Sequence, residues 1–312
     1  MRHLKDYLFL YIKGMGMGAA DVIPGVSGGT IAFITGIYEE LISSIRSIDL
    51  EAINLLRRLR IAAFWEKING NFLIAVLSGV ITSLLSLAKL MNYLLIIYPI
   101  PVWSFFFGLI LISAPLILRE VKTWTLSSAI FGLVGIAVSY WITIISPAQT
   151  PSSLLFIFLC GALAICAMIL PGISGAFILL LLGKYEFMIK SLVSANFIVV
   201  LVFIIGCVVG LLSFSRFLSW ILKHYRFPTL ALLAGFMLGS LNKVWPWKEV
   251  VAFRLDHEGK QVPASDQSIW PGQYLEKTGS DPQIFHAILF VALGILIVVF
   301  VEKLAATFKT KI

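Results

Sequence analysis

Apolar residues in this chain run in long blocks separated by short polar breaks. Ten such segments can be marked, at approximately 7–22, 28–45, 71–99, 101–118, 125–146, 152–170, 174–192, 197–222, 229–243 and 284–301. A helix needs about 20 apolar residues to cross a bilayer, and several segments reach that length. The first, sixth, seventh and ninth are short or interrupted by glycine and proline. One long polar stretch, 244–283, carries charge, Pro, Gly and Trp and reads as a solvent-exposed outer loop. The pattern predicts an all-α polytopic membrane protein.

The pattern also repeats. Pro24-Gly25-Val26-Ser27-Gly28 recurs as Pro171-Gly172-Ile173-Ser174-Gly175, and the match continues through Ile31/Ile178, Gly36/Gly183, Tyr38/Tyr185 and Glu39/Glu186. A second block pairs Gly79 with Gly206, Ser86 with Ser213, Lys89 with Arg216, Tyr98 with Tyr225, Pro101 with Pro228, Gly108 with Gly235 and Ser113 with Ser240. A longer basic loop around 46–70 in the first copy accounts for the change of offset. The chain divides into repeats at 1–150 and 151–312, each with five segments. An odd number makes the second copy enter the membrane from the opposite face, giving the inverted repeat of alternating-access transporters.

The first two segments of each repeat read as re-entrant helical hairpins, at 7–45 and 152–192. Pro24 and Pro171 disfavour helix in the residue before them. Gly25 and Gly172 tolerate turn backbone. Ser27 and Ser174 are good N-caps for the helices that follow. Backbone broken at membrane depth survives only when buried in protein or lining a wet cavity. Two symmetry-related breaks are therefore the pointer to a substrate site.

Composition supports the membrane reading. Of 312 residues, 59% are hydrophobic and 13% charged, and the mean hydropathy is +0.97. That excludes an ordinary soluble domain, a disordered chain and a disulfide scaffold. The net charge of +8 fits basic cytoplasmic loops facing anionic lipid rather than nucleic acid. Lys and Arg fall mainly at the termini and in the loops around 46–67, 119–122 and 223–226, which predicts that both termini are cytoplasmic. Cys160, Cys166 and Cys207 lie in apolar stretches and read as packing residues. Trp65, Trp103, Trp124, Trp141, Trp220, Trp245 and Trp247 read as an interfacial belt. The histidines form no metal site, and no cofactor is expected.

Helices starting at Ser27 and Ser174 would aim free N–H groups at an anion; Gly28, Gly29 and Gly175 would supply the close backbone. Gly-mediated helix crossing is the other reading. Lys89 and Arg216 are repeat-related cations inside apolar segments, so they face either a cavity or the interface by snorkelling. Asp21 is a candidate for proton coupling, or a cap for the break. Glu39 and Glu186 are candidate gating or proton groups near helix ends. Lys13 reads as a snorkelling residue. Walker loops, Gly-x-Ser-x-Gly elbows and His-Glu-x-x-His motifs are absent, so no enzyme activity is expected.

The run Gly14-Met15-Gly16-Met17-Gly18-Ala19-Ala20-Asp21-Val22-Ile23-Pro24-Gly25-Val26-Ser27-Gly28-Gly29-Thr30-Ile31-Ala32 resembles the N-terminal signature of the bacterial polyprenyl-phosphate transporter family, PopT. The second signature is similar at Pro171-Gly172-Ile173-Ser174-Gly175 and departs at Ala176, where a small polar residue is expected. The resemblance implies a multi-pass protein of the bacterial cytoplasmic membrane. It would return undecaprenyl phosphate, the lipid carrier for cell-wall glycans, from the outer to the cytoplasmic leaflet. Its partners would be the polyprenyl-phosphate lipid, membrane lipids and a coupling ion such as the proton. The residues alone also allow a small inorganic anion channel or exchanger. A lipid-phosphate phosphatase or a structural scaffold fits them less well.

Overall fold

The computed structural model describes residues 2–21, 27–145, 150–194, 196–255 and 261–309. In chain order the elements are α1 (Leu4–Asp21), α2 (Gly28–Ile34), α3 (Tyr38–Arg46), α4 (Leu50–Arg57), α5 (Ile61–Lys67), α6 (Gly70–Ile97), α7 (Pro99–Leu118), α8 (Leu126–Ile144), α9 (Leu154–Ile169), α10 (Gly175–Leu181), α11 (Tyr185–Val193), α12 (Phe197–His224), α13 (Arg226–Ser240), β1 (Lys248–Leu255), β2 (Gln261–Ser268), α14 (Pro271–Thr278) and α15 (Ile284–Lys309). By length and composition α7, α8 and α12 can each cross a membrane alone. A fourth candidate is the pair of α5 and the first part of α6, which meet at a 69° bend. The flanks of α8, α12 and α15 expose Ile130, Leu133, Ile204, Val208, Leu289 and Leu293. Such apolar flanks belong in lipid.

Two apolar segments that the sequence presents as continuous are each two helices. The break in 28–45 falls at Gly36, with φ 71°, and that in 174–192 at Gly183, with φ 63°. Both glycines end a helix in the left-handed conformation, and the next residue donates its N–H back across the turn. Ile37 N–H reaches Ala32 C=O at 2.9 Å, and Lys184 N–H reaches Leu179 C=O at 2.8 Å. This closure satisfies the last carbonyls of a helix, so α2 and α10 stop after seven residues.

Each folded-back segment has its two ends tied together. Arg2 pairs with Glu40 at 2.6 Å, and Asn69 donates to the same carboxylate at 2.8 Å. Lys184 Nζ donates to Thr150 C=O at 2.7 Å and to Ser152 Oγ at 2.9 Å. The first segment closes beside α4 and α5. The second closes at the end carrying the β-hairpin, where Asn242 donates to Thr143 at the end of α8. The 28 residues of α6 separate the two ends by about 42 Å at 1.5 Å per residue.

Four helix pairs form the body, and each is closed by glycines on both partners. Gly14 on α1 lies against the Val76 carbonyl of α6, and Gly79 lies against the Tyr11 carbonyl of α1. Gly161 and Gly206 do the same for α9 and α12, Gly108 and Gly294 for α7 and α15, and Gly135 and Gly235 for α8 and α13. A Cβ at any of these would overlap a backbone oxygen, so only glycine permits such close packing. Two of the pairs, α7 with α15 and α8 with α13, join residues of 1–150 to residues of 151–312, so the two halves share one core. Both α3 and α11 lie against α12, so the halves are not arranged identically.

Two regions read as loops are built differently. The basic stretch 46–70 forms α4 and α5, which expose Leu50, Ile53, Leu56, Leu59 and Ile61 beside Arg57, Arg58 and Arg60. The polar stretch 244–283 is exposed over most of 270–281, as expected, but it is built from regular elements. It contains the antiparallel β1–β2 hairpin and α14, it buries Trp247 and Ile269 with Ile100 and Ala287, and its Val244 joins the main core. Trp245 and Trp247 donate to the carbonyls of Ile269 and Pro282, each at 2.8 Å. Trp247 is buried in the hairpin region's core and Trp245 packs partly buried against it.

Gly206→Leu should separate α9 from α12 and lower stability in detergent by about 1–3 kcal/mol or more, read as a fall in the thermal midpoint. Gly132→Ala should stay near wild type, because a Cβ there meets its nearest neighbour at 3.6 Å.

Candidate functional site

The start of α2 meets the end of α9 and the turn that leads into α10. Ser27 caps α2, accepting from Gly29 N–H at 3.1 Å, and its hydroxyl donates to the Met168 carbonyl at the end of α9 at 2.8 Å. Gly172, held at φ 88°, donates its N–H to Thr30 Oγ1 of α2 at 2.9 Å. A Cβ on Gly29 would stand 2.5 Å from the Ile169 carbonyl. Ser174 caps α10, accepting from Phe177 N–H. Gly175 packs on the Ala164 carbonyl, where a Cβ would lie 2.5 Å away. Ser27, Thr30 and Ser174 are all buried. The helix starts foreseen from the sequence as bare are capped within their own hairpins, by Asp21 and Ser27 in the first and by Ser174 in the second, while Ser27–Met168 and Thr30–Gly172 bond one hairpin to the other.

Asp21 closes α1 at the same level. One carboxylate oxygen accepts from Gly28 N–H at 2.7 Å, and the other would be 2.5 Å from a Cβ on Gly28. The glycine therefore makes room for the carboxylate. Pro24 and Gly25 lie outside the described residues, as do the side chains of Lys89 and Glu186. Pro171 is buried at the second turn.

The other sequence candidates sit away from the tips. Arg216 donates to the carbonyls of Ile48 at 3.0 Å and Leu212 at 3.3 Å. It lines an open cleft of about 520 Å³ between α12 and the start of α4, with Ile48, Leu50, Ile53, Asp49 and Glu51. Glu39 pairs with Arg226 at 2.9 Å at the same end of the bundle. Lys13 donates to the Thr35 carbonyl at 2.7 Å, tying α1 to the end of α2 rather than snorkelling.

A second cavity adjoins the α10 break. Gly172, Ile173, Ser174 and Phe177 line it together with Ser139, Thr143 and Lys243. Its volume is about 10 Å³, room for roughly one water. Lys243 Nζ sits 4.7 Å above the Phe177 ring and 3.1 Å from the Asp266 carboxylate. Lys248 reaches the same carboxylate at 3.3 Å, donates to the Lys243 carbonyl at 2.6 Å and lies 5.4 Å over Trp103. Burial and the neighbouring Lys243 push the Lys248 ammonium down to about 8, with Asp266 pulling the other way. Burial raises the Asp266 carboxyl, but Lys248 and Lys243 outweigh it and hold it below its ordinary range.

Sequence reading missed Thr30, Lys243, Lys248 and Asp266. The signal for the lysines was present in Lys243-Val244-Trp245-Pro246-Trp247-Lys248: alternating aromatics mark a packed stretch, which bare loop residues do not need.

A sequence profile of a family described as undecaprenyl phosphate translocase-like matches residues 17–262. A polyprenyl-phosphate transporter of Vibrio cholerae serotype O1 is 45% identical over 300 residues, covering 96% of this chain and 97% of its own length. A polyprenyl-phosphate transporter of Staphylococcus aureus is 37% identical over 253 residues, covering 75% of this chain and 85% of its own. No solved structure matches the chain.

Thr30→Val keeps the shape of the side chain but leaves the buried Gly172 N–H without an acceptor. Loss of such a partner costs about 1–3 kcal/mol. The thermal midpoint in detergent should fall, and Thr30→Ser should restore most of it.

Proposed function

This chain belongs to the undecaprenyl phosphate translocase-like family, and on that premise we propose that it moves a polyprenyl monophosphate lipid from the outer to the cytoplasmic leaflet by alternating access. Its relatives are named polyprenyl-phosphate transporters, which supports the lipid. The observation that carries the mechanism is the meeting of two hairpin tips, one closed at each end of the bundle. We read the hairpins as re-entrant, and residues 1–150 and 151–312 as inverted repeats around the tips. Transporters of this kind place the substrate where broken helices meet.

The termini and α4–α5 face the cytoplasm in this reading. The exposed apolar row of α4 and α5 beside Arg57, Arg58 and Arg60 suits the anionic inner leaflet. The headgroup enters on the outer side, near Lys89 on α6, passes the Ser27 and Ser174 tips, and leaves through the Arg216 cleft. That cleft sets Arg216 beside the apolar side chains of Ile48, Leu50, Ile53 and Leu212, while its two carboxylates, Asp49 and Glu51, are both paired with Lys67; we read the Arg216 guanidinium edge as the group that meets the phosphate. Asp21, half-buried at the tip with room made by Gly28, carries the coupling proton. Glu39, already paired with Arg226, suits that role less.

Proteoliposomes loaded with polyprenyl phosphate, with a soluble phosphatase added outside, report how fast inner-leaflet lipid becomes accessible. Wild type should expose it well above empty vesicles. Loss of a hydrogen bond to a charged group amounts to about 1.5–3 kcal/mol, so Arg216→Ala should slow exposure about tenfold or more. Asp21→Asn should abolish the response to a pH gradient. No exposure above empty vesicles under either gradient would overturn the reading in favour of small-anion flux.

A further inference from the structure

We propose that Lys243 and Lys248 form the receptor for the phosphate headgroup at the hairpin end of the bundle, and that the Asp266 carboxylate holds their place until the lipid arrives. The proposal rests on the lipid-phosphate transport reading and assigns residues that the repeat pattern does not mark.

Two ammonium groups converge on one carboxylate. Lys243 Nζ stands 3.1 and 3.4 Å from its two oxygens, and Lys248 Nζ stands 3.3 Å from one of them. A latch needs one cation for one anion. Here two partly buried cations share a single negative charge, so among the described residues the cluster has two positive charges to one negative. Holding like charges together away from water is costly, and the depressed ammonium of Lys248 reflects that cost. The neighbouring pair on this region, Lys277 with Glu249, is balanced one to one. A phosphomonoester carries about −1.5 to −2 charge at pH 7 and three acceptor oxygens. It would neutralise both lysines, where a carboxylate neutralises one.

The location fits a gate on the route to the tips. Lys243 is both the ligand of Asp266 and a wall of the cavity that reaches Ser174 and Gly172. That cavity holds about 10 Å³, too little for a phosphate, so a headgroup gains access only when Lys243 swings away. Asp266 lies on β2, so releasing it frees the hairpin as well. Phe177 and Trp103 lie beneath the two ammonium groups and give them an alternative resting face during the exchange.

The test compares Lys243→Gln, Lys248→Gln and Asp266→Asn with wild type. The probe is a water-soluble short-chain prenyl monophosphate, titrated onto the full-length detergent-solubilised protein by tryptophan fluorescence. The proteoliposome assay is run in parallel. Each lysine change should weaken binding about tenfold or more, while Asp266→Asn, by removing the competing anion, should tighten it severalfold. A purely structural ion pair predicts the opposite for Asp266→Asn, since both partners would then be needed to hold the hairpin. Equal impairment in Asp266→Asn and Lys243→Gln, or unchanged binding in Lys243→Gln, would overturn the assignment while wild-type transport left the transport reading standing. Absence of transport and of probe binding in wild type would remove both. If Lys243→Gln fails to fold, Lys243→Arg keeps the cation and should retain the binding that Lys243→Met loses.

Discussion

A backbone that stops being helical inside a bilayer must find partners for every polar group it frees, because lipid offers none. Here the two stops supply each other. Ser27 of the first tip takes the Met168 carbonyl of the second, and Thr30 takes the Gly172 amide. Neither tip would be tolerable alone. The rest of the bundle holds these two points at contact distance: the close glycine crossings of α1 on α6 and α9 on α12 set the depth to which each hairpin reaches. Satisfied in this way, the tips are held to each other by direct hydrogen bonds, with the Arg216 cleft and the Ser174 cavity as separate spaces.

Those two sides differ in this conformation. Toward α4 the cleft at Arg216 is open and wide; toward the β-hairpin the cavity at Ser174 is nearly closed by Lys243. The packing is unequal too, since α3 and α11 both rest on α12. The alternating access we propose would exchange the roles of the two sides, opening the closed one and closing the open one.

Much of this was legible from the residues. Pro-Gly-x-Ser-Gly located the second break, with its left-handed Gly172, and the serine caps that start α2 and α10, because these residues act through local backbone physics. The paired Gly79/Gly206 and Gly108/Gly235 of the repeat turned out to be crossing points. The turns at Gly36 and Gly183 escaped because the residues around them are apolar and read as continuous helix. The Lys243–Lys248–Asp266 cluster escaped for a different reason. Asp266 is brought to the lysines by a strand pairing across a polar stretch, and no helical period or motif spacing encodes that. Arg216 was singled out from its cost in lipid, yet its carbonyl partner Ile48 lies far off in sequence and could not be named.

The crossed pairing of α7 with α15 has a consequence for synthesis. Gly108 and its counterpart Gly294 stand roughly 190 residues apart, and a ribosome adds about 5–20 residues each second. The groove on α7 therefore waits on the order of ten seconds or more before its partner exists. α8 waits for α13 in the same way. During that interval the nascent first half has its glycine faces open to lipid, available to any passing helix with a small-residue stripe. The α7 groove is filled only when α15 leaves the insertion machinery, so this part of the assembly is set by a late helix rather than by the first half alone.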